Sequence, residues 1–564
     1  MPKVIGIGKQ RYDRIIENDG FYIDKTMFIK EWWENQDDVT LITRPRRFGK
    51  TLNMDMLKCF FSNEYKDRGD LFEGLDIWKE EKYRKIQGTY PVIFLSFAKI
   101  KQNTYEDAVA GIKRIICDEI QKYIFLKDWD GLADAEKNNL KNITYGMDDV
   151  TAQEAIASLS NYLSRYYGKN VIILLDEYDT PMQEAYVNGY LEELVSFIRS
   201  FFNATFKSNL YLERAVITGI TRVSKESIFS DLNNLKVITV ESDEYSDTFG
   251  FSEEEVFLAL DDFNLSDKKQ IVKEWYDGFT FGSQRDIYNP WSIINFLENK
   301  KIDTYWADTS SNSLINHLIK KSVPEIKELM ELLLKRESIE VTFDDQIVFN
   351  QLDKSKNAIW SLLVASGYLK IDDIEYKGLL LKPWYHISIT NLETVSMFAN
   401  MFAGWFENPD ARYNDFIKSL LNNDLKGMNY YMNKVALATF SYFDTGKNPS
   451  ETLEPERFYH GFVLGLIVEL SDRYEVKSNR ESGFGRYDVM IIPLDKSEKA
   501  IVLEFKVHEN DEEKTLEETV SSALAQIEEK KYDTELINAG VKKENIRHYG
   551  FAFEGKKVLI GTDE

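Results

Sequence analysis

Only two cysteines, Cys59 and Cys117, occur in 564 residues. They cannot build a disulfide framework, and no Cys-x-x-Cys pair suggests a thiolate metal site. A reducing, cytoplasmic setting is the expectation. Proline is scarce, 11 in all, and no low-complexity linker is visible, so domains must be found from the order of motifs. Long apolar runs are also missing. The longest uncharged, largely apolar stretch, Ala358 to Leu369, falls well short of the ~20 residues a membrane-crossing helix needs. The start, Met1-Pro2-Lys3-Val4-Ile5, has no apolar core of a secretory signal, so none is expected. Positive charge is in deficit: 70 Lys and Arg stand against 94 Asp and Glu, a net of -24. Such a field repels polyphosphate at long range. It excludes a general nucleic-acid coat protein but leaves room for a local basic groove. What the chain does have is 43% apolar and 13% aromatic residues, too many for a disordered protein. Its length predicts about three or four domains.

The first 245 residues alternate strand and helix signals. Residues 39–43, 91–97, 171–175, 214–218 and 237–240 read as strands. Residues 50–61 and 105–124 have helical spacing. The run Val171-Ile-Ile-Leu-Leu175 is apolar throughout, as in a parallel sheet covered on both faces. The pattern predicts a doubly wound α/β domain over 1–245. Residues 246–445 read mainly as helices with short turns. Residues 446–564 read as a smaller α/β domain: a helix from Phe458 to Leu470, β-type runs at 486–493 and 500–506, a charged loop from Glu509 to Glu513, a helix from Thr515 to Tyr532, and a last β-like run from Arg547 to Phe553.

The segment Arg44-Pro-Arg-Arg47-Phe48-Gly49-Lys50-Thr51 joins a strand to a helix and ends like the phosphate loop GxxxxGK[ST], with Arg44 in place of the first glycine. Gly49 lets the backbone approach phosphate, the helix start offers free N–H groups, Lys50 reaches the phosphates, and Thr51 can ligate Mg²⁺. Strand 171–175 runs into Asp176-Glu177-Tyr178-Asp179. A carboxylate at the end of a parallel strand lies at the ligand-binding edge of the sheet. Asp176 is expected to hold Mg²⁺, and Glu177, on the opposite strand face, to orient or deprotonate the attacking water. Asp179 is read as solvated or capping. Strand 214–218 places Thr218 between these motifs, with Arg222 as a candidate charge-stabilising arginine.

Near the C-terminus, Asp488 falls in one strand and Glu504 and Lys506 share one face of the next. Charges on an apolar strand are costly unless they pair or bind something. Asp488 and Glu504 can hold Mg²⁺, and Lys506 can position the hydrolytic water, the requirements of phosphodiester cleavage. Lys477, Arg480, Arg486 and Lys506 form a candidate basic cluster.

Tyr22-Ile-Asp-Lys-Thr26, the loop 44–51, Leu175-Asp-Glu-Tyr-Asp179, Thr218-Gly-Ile-Thr-Arg222, Tyr288-Asn-Pro-Trp291 and Ser366-Gly-Tyr-Leu369 together resemble the AAA-ATPase-like family of bacterial proteins. That family also carries arginine at the position of Arg44. Asp488 and Glu504-Phe505-Lys506 resemble the PD-(D/E)XK nuclease superfamily, and that resemblance implies a further acidic ligand at Glu456 or Glu469, a glutamine near the site at Gln526 on the downstream helix, and Tyr459, His460 and Arg486 as lining residues. The resemblance implies a P-loop core with sheet order 5-1-4-3-2, a helical or winged-helix-like middle region with a lid around 340–390, and a restriction-endonuclease-like terminal domain. The expected chain binds ATP and Mg²⁺ through Arg47 to Thr51, Asp176, Thr218 and Arg222. It acts locally on nucleic acid, DNA more than RNA, and not on membranes. The alternative is a nucleotide-dependent switch or scaffold whose terminal domain binds without cleaving.

Overall fold

A computed structural model of the chain describes all residues except 1–2, 223–227, 230–231, 307–323, 335, 344–357, 406–413, 440–462, 464–466, 468–469, 471–472, 483–484, 509–512, 555–556 and 564. The chain forms two compact units: Met1–Leu318 with Ser338–Val395, and Ile319–Glu337 with Ser396–Glu564. No helix among the described residues is long and apolar enough to cross a membrane.

The first unit is built on five parallel strands: β1 (Val39–Thr43), β2 (Val92–Ser96), β3 (Val171–Asp176), β4 (Leu212–Gly219) and β5 (Leu235–Ile238). Their order is β2-β3-β4-β1-β5, which read from the other edge is the expected 5-1-4-3-2. Leu41 pairs with Ile217 on one side and Val237 on the other. Every residue of β1 and β3 is buried, so both faces must be covered, and the helices Tyr105–Gln121, Asp149–Tyr167 and Leu191–Phe202 each carry a row of buried apolar residues. Asp148 caps the second of these by accepting from the Thr151 N–H, and left-handed Gly168 ends it. The predicted elements shift by a few residues at their ends. The helix predicted over 105–124 ends at Gln121, and the fifth strand occupies 235–238 rather than 237–240.

The middle of the chain is less helical than expected. Strands β6 (Phe251–Ser252), β7 (Phe279–Phe281) and β8 (Gln284–Tyr288) form a small antiparallel sheet. These pieces of two to five residues are too short to display a period of two. Strands β9 (Ile339–Val341), β10 (Leu369–Lys377) and β11 (Lys382–Ile389) form a second sheet in the order β10-β11-β9. The apolar helix Ala358–Ala365, with Trp360 and Leu363 buried, precedes β10. The winged-helix-like reading of this region falls partly on residues 344–357, which lie outside the described set.

The second unit holds β12 (Tyr474–Ser482), β13 (Gly485–Pro493), β14 (Ala500–Val507), β15 (Ile546–Glu554) and β16 (Lys557–Thr562), adjacent in that order. Only β14 and β15 pair in parallel, and the helix Leu516–Lys530 makes the crossover between them. Alternation gives β14 two cores. Ile501, Leu503 and Phe505 join Phe416, Leu420, Met428 and Met432. Ala500 and Val502 join Ile527, Tyr532 and Leu536. Most of the expected helix from Phe458 to Leu470 lies outside the described residues.

On β15 His548 bonds through Nε2 to Asp533 at 2.7 Å and through Nδ1 to Asp563 at 2.5 Å. Burial opposes its charge, but the two carboxylates outweigh it and raise its pKa from 6.5 to about 9. The clamp therefore stabilises the fold fully below about pH 6.5 and is lost as pH rises through about 9. The melting temperature is expected to fall by a few degrees between these limits. His548→Gln should flatten that dependence in a calorimetric pH series.

Candidate nucleotide and phosphodiester sites

The strand-to-helix loop after β1 takes its shape from buried contacts. Arg44 is fully buried. Its Nη1 donates to the carbonyls of Thr43 and Thr239 at 3.0 and 2.7 Å, and its Nη2 to Glu244 and Tyr245 at 3.3 and 3.4 Å. Its guanidinium lies 4.5 Å from the Phe281 ring centre, and burial lowers its pKa to about 9. The Arg44 side chain is thus a tie to the segment after β5.

The next four residues are each held by the chain beyond residue 278. The Pro45 ring sits against Gly367, where a Cβ would come within 2.8 Å of Pro45 Cγ. Gly367 also has φ +82°, so only glycine suits that position. Asn289 donates to the Arg46 carbonyl at 3.3 Å. Arg47, at φ 65°, stacks 4.3 Å from the Trp291 ring centre. Phe48 packs on Phe279 and Phe281 at 4.8 and 5.4 Å. The side chains of Arg47 and Phe48 thus shape the loop, which leaves their backbone to face a ligand.

At the loop's end Gly49 adopts φ 79° and starts the helix Lys50–Phe61. A Cβ there would meet nothing within 4 Å. Lys50 Nζ donates to the Arg44 and Pro45 carbonyls at 2.8 and 2.7 Å. Burial lowers its pKa to about 8, against the opposing charges of Glu177, Asp179 and Asp176. Asp176 is 1% exposed. Its Oδ2 accepts from Thr51 Oγ1 at 2.8 Å and its Oδ1 from Thr218 Oγ1 at 2.6 Å. Burial raises its pKa while these hydroxyls oppose the shift. Open space above Gly49, an ammonium resting on its own loop and a paired hydroxyl and carboxylate fit a polyphosphate with Mg²⁺.

Two acidic residues differ from the sequence reading. Glu177 lies past the end of β3 at φ 52°, so the opposite-face argument does not govern it; this left-handed turn sets its direction. Asp179 is not solvated but fully buried. Its Oδ2 accepts from the N–H groups of Ile220 and Thr221, from Thr221 Oγ1 and from Gln183 Nε2, at 2.7–3.1 Å. Gln183 in turn accepts from Arg46 at 3.3 Å. Asp179 and Gln183 thereby link the phosphate loop to the turn that carries Arg222. The acidic run in the sequence could have flagged Asp179; nothing in it flagged Gln183.

In the second unit β13 and β14 pair Val489 with Leu503, which sets Asp488 beside Glu504 at the next step. Asp488 Oδ2 accepts from the Phe505 N–H at 2.8 Å. Glu504 is 2% exposed and accepts from Gln526 Nε2, which also donates to the Tyr532 hydroxyl at 3.3 Å. Burial, with the charges of Glu504 and Asp488, pushes the Tyr532 pKa up to about 12. Lys506 is half-buried on the Glu504 face. Two convergent carboxylates with oxygen-only donors fit a divalent cation. Tyr532 was missed because only the crossover helix brings it there.

One member of the expected basic cluster is already engaged in an ion pair. Lys477 pairs with Glu535 at 2.9 Å. Arg480 and Arg486 occupy β12 and β13 opposite Tyr487 and Glu481. Glu456, Glu469, Tyr459 and His460 lie outside the described residues.

Arg44→Gly, which restores the usual first glycine of the loop, is expected to destabilise the first unit by at least about 3 kcal/mol, because it strands buried carbonyls. A denaturant titration measures this.

Two segments of the chain match known families. Residues 6–229 match the family model described as predicted AAA-ATPase, and residues 454–563 match the PD-(D/E)XK nuclease superfamily. The chain is also similar to an uncharacterized protein encoded in the vnfD 5' region of Azotobacter chroococcum mcd 1, with 24% identity over 504 residues, 87% of each chain. In order along the chain, a segment similar to AAA-ATPase-like domains is thus followed by a C-terminal segment similar to the PD-(D/E)XK nuclease superfamily.

Proposed function

We propose that the chain binds and hydrolyses ATP at the loop 47–51 and cleaves phosphodiester bonds of nucleic acid, DNA more than RNA, at Asp488, Glu504 and Lys506. The working division is an ATPase part to residue 245, a lid region to 445 and a nuclease part beyond it, in a cytoplasmic setting. The observation that carries the reading is the pair of hydroxyls, Thr51 and Thr218, that meet on the buried carboxylate of Asp176, in a chain that also buries Glu504 beside Asp488.

Mg²⁺, held by Thr51 and Asp176 at one site and by Asp488 and Glu504 at the other, supplies charge neutralisation and a more acidic water. Glu456 or Glu469 would complete the second ligand set. Lys50 exchanges its two carbonyl partners for phosphate oxygens. Thr218 holds Asp176 in orientation. Glu177 orients and deprotonates the attacking water, and Arg222 stabilises charge developing on the phosphoryl oxygens. At the other site Lys506 positions the hydrolytic water.

Lys50→Ala is expected to abolish the thermal shift given by ATP. Glu177→Gln should keep that shift and lower the hydrolysis rate by about 10²-fold or more. Glu504→Ala should abolish metal-dependent cutting of DNA with ATP binding intact. Cutting that is absent in the wild type, or unchanged in Glu504→Ala, would refute the nuclease half and leave a nucleotide switch.

A further inference from the structure

Three arginines lie in the loop before Lys50, and two of them are spent on the loop itself. Arg44 is buried against carbonyls, and Arg47 lies against the Trp291 ring, whose Nε1 donates to the Tyr305 carbonyl at 3.2 Å. Arg46 differs. Its main chain is anchored, since its carbonyl accepts from Asn289. Its half-buried side chain reaches across to the helix Thr180–Asn188, which follows Asp176 and Glu177. The positive charge of Arg46 acts against the Lys50 ammonium, while the carboxylates of Glu177, Asp179 and Asp176 favour it. Arg46, Lys50 and these acids therefore share one site.

Among the described residues the Arg46 guanidinium has one polar partner, Gln183 Oε1 at 3.3 Å. That acceptor is a neutral amide at the long end of the hydrogen-bond range. The amide cannot turn over. Asp179 Oδ2 already accepts from two backbone N–H groups and the Thr221 hydroxyl, and Gln183 Nε2 adds a fourth donor at 3.0 Å. Only the N–H side of Gln183 suits that carboxylate, so its oxygen stays turned to the loop.

The guanidinium is thus held beside the acidic end of β3 by a bond that is easily exchanged. A phosphate oxygen is the better partner: hydrogen bonds between charged groups are roughly twice as strong as neutral ones, and guanidinium and phosphate can pair through two of them. Leaving Gln183 costs Arg46 one amide bond.

We propose that Arg46 is a catalytic arginine supplied by the phosphate loop itself: its guanidinium leaves Gln183 Oε1 for the γ-phosphate of ATP, and Gln183 is the positioning residue that keeps it at that edge of the sheet beforehand. The inference rests on the ATP-hydrolysis reading above and adds a second cation to Arg222. In hydrolysis the water oxygen bonds the γ-phosphorus, its proton passes to Glu177, and the electron pair of the breaking bond leaves on ADP. The charge that shifts in this step is what a guanidinium on the γ-phosphate stabilises more in the transition state than in bound ATP.

The test combines steady-state ATP hydrolysis by the full-length chain with Mg²⁺ and the thermal shifts given by ATP and by ADP with aluminium fluoride, a mimic of the transferring phosphoryl group. Arg46→Ala is expected to lower kcat about 10²-fold with KM changed by less than about threefold. It should keep the ATP shift, lose most of the aluminium fluoride shift, and melt as wild type does without nucleotide. Arg46→Lys should restore part of the rate, because the charge returns without the planar fork. Gln183→Ala should lower kcat through Arg46 alone, so it adds nothing in the double variant. If Arg46→Ala hydrolyses ATP as wild type does, or loses both shifts in equal measure, the role of Arg46 is refuted and the ATPase reading stands. If wild type binds ATP without hydrolysing it, the hydrolysis reading and this proposal fall together.

Discussion

The Asp176 carboxylate, withdrawn from water at the end of β3, is the constraint on which the first unit's chemistry depends. One oxygen takes the hydroxyl of Thr51, at the start of the helix after β1, and the other takes Thr218 on β4. Three elements of the parallel sheet edge are therefore tied at one charge. Desolvation alone favours the neutral acid; the two hydroxyls and the nearby Lys50 ammonium counter it. The same arrangement that would be costly as structure is what an oxygen-ligated cation requires.

Around that point the phosphate loop is over-determined. Arg44 to Phe48 each make a specific contact with the chain beyond β5, by guanidinium, ring packing, carbonyl bond and stacking. A loop with glycine at its start would hold itself by backbone geometry. Here a buried arginine bonded to four carbonyls replaces that glycine, so the loop's conformation depends on residues 239–245. The left-handed turns at Arg47 and Glu177 persist because their surroundings leave no alternative.

The second unit reaches a comparable end by different means. Glu504 is buried on a strand whose other face is wholly apolar, and Gln526 and Tyr532 arrive from the crossover helix and the segment after it. Register does the rest. The pairing of Val489 with Leu503 brings Asp488 alongside Glu504, and a slip of one residue would carry one carboxylate to the wrong face.

Periodicity and the loop motif were enough to place the five parallel strands, the strand-to-helix turn at 44–51, Asp176 at the end of its strand, and Asp488 and Glu504-x-Lys506 on neighbouring strands, because each is written in neighbouring residues. The small sheet of β6, β7 and β8 was not legible, since strands of two to five residues carry too little of a period of two. The role of Asp179 was misread for a related reason. A charged side chain in a loop looks solvated until the tertiary fold supplies carbonyls or N–H groups from hundreds or tens of residues away. The sequence by itself determined which chemistry-bearing groups exist and which lie on the same strand face. Only the tertiary structure decided which of them are withdrawn from water and what they hold there, because desolvation and long-range hydrogen bonds depend on segments that meet in space and not along the chain.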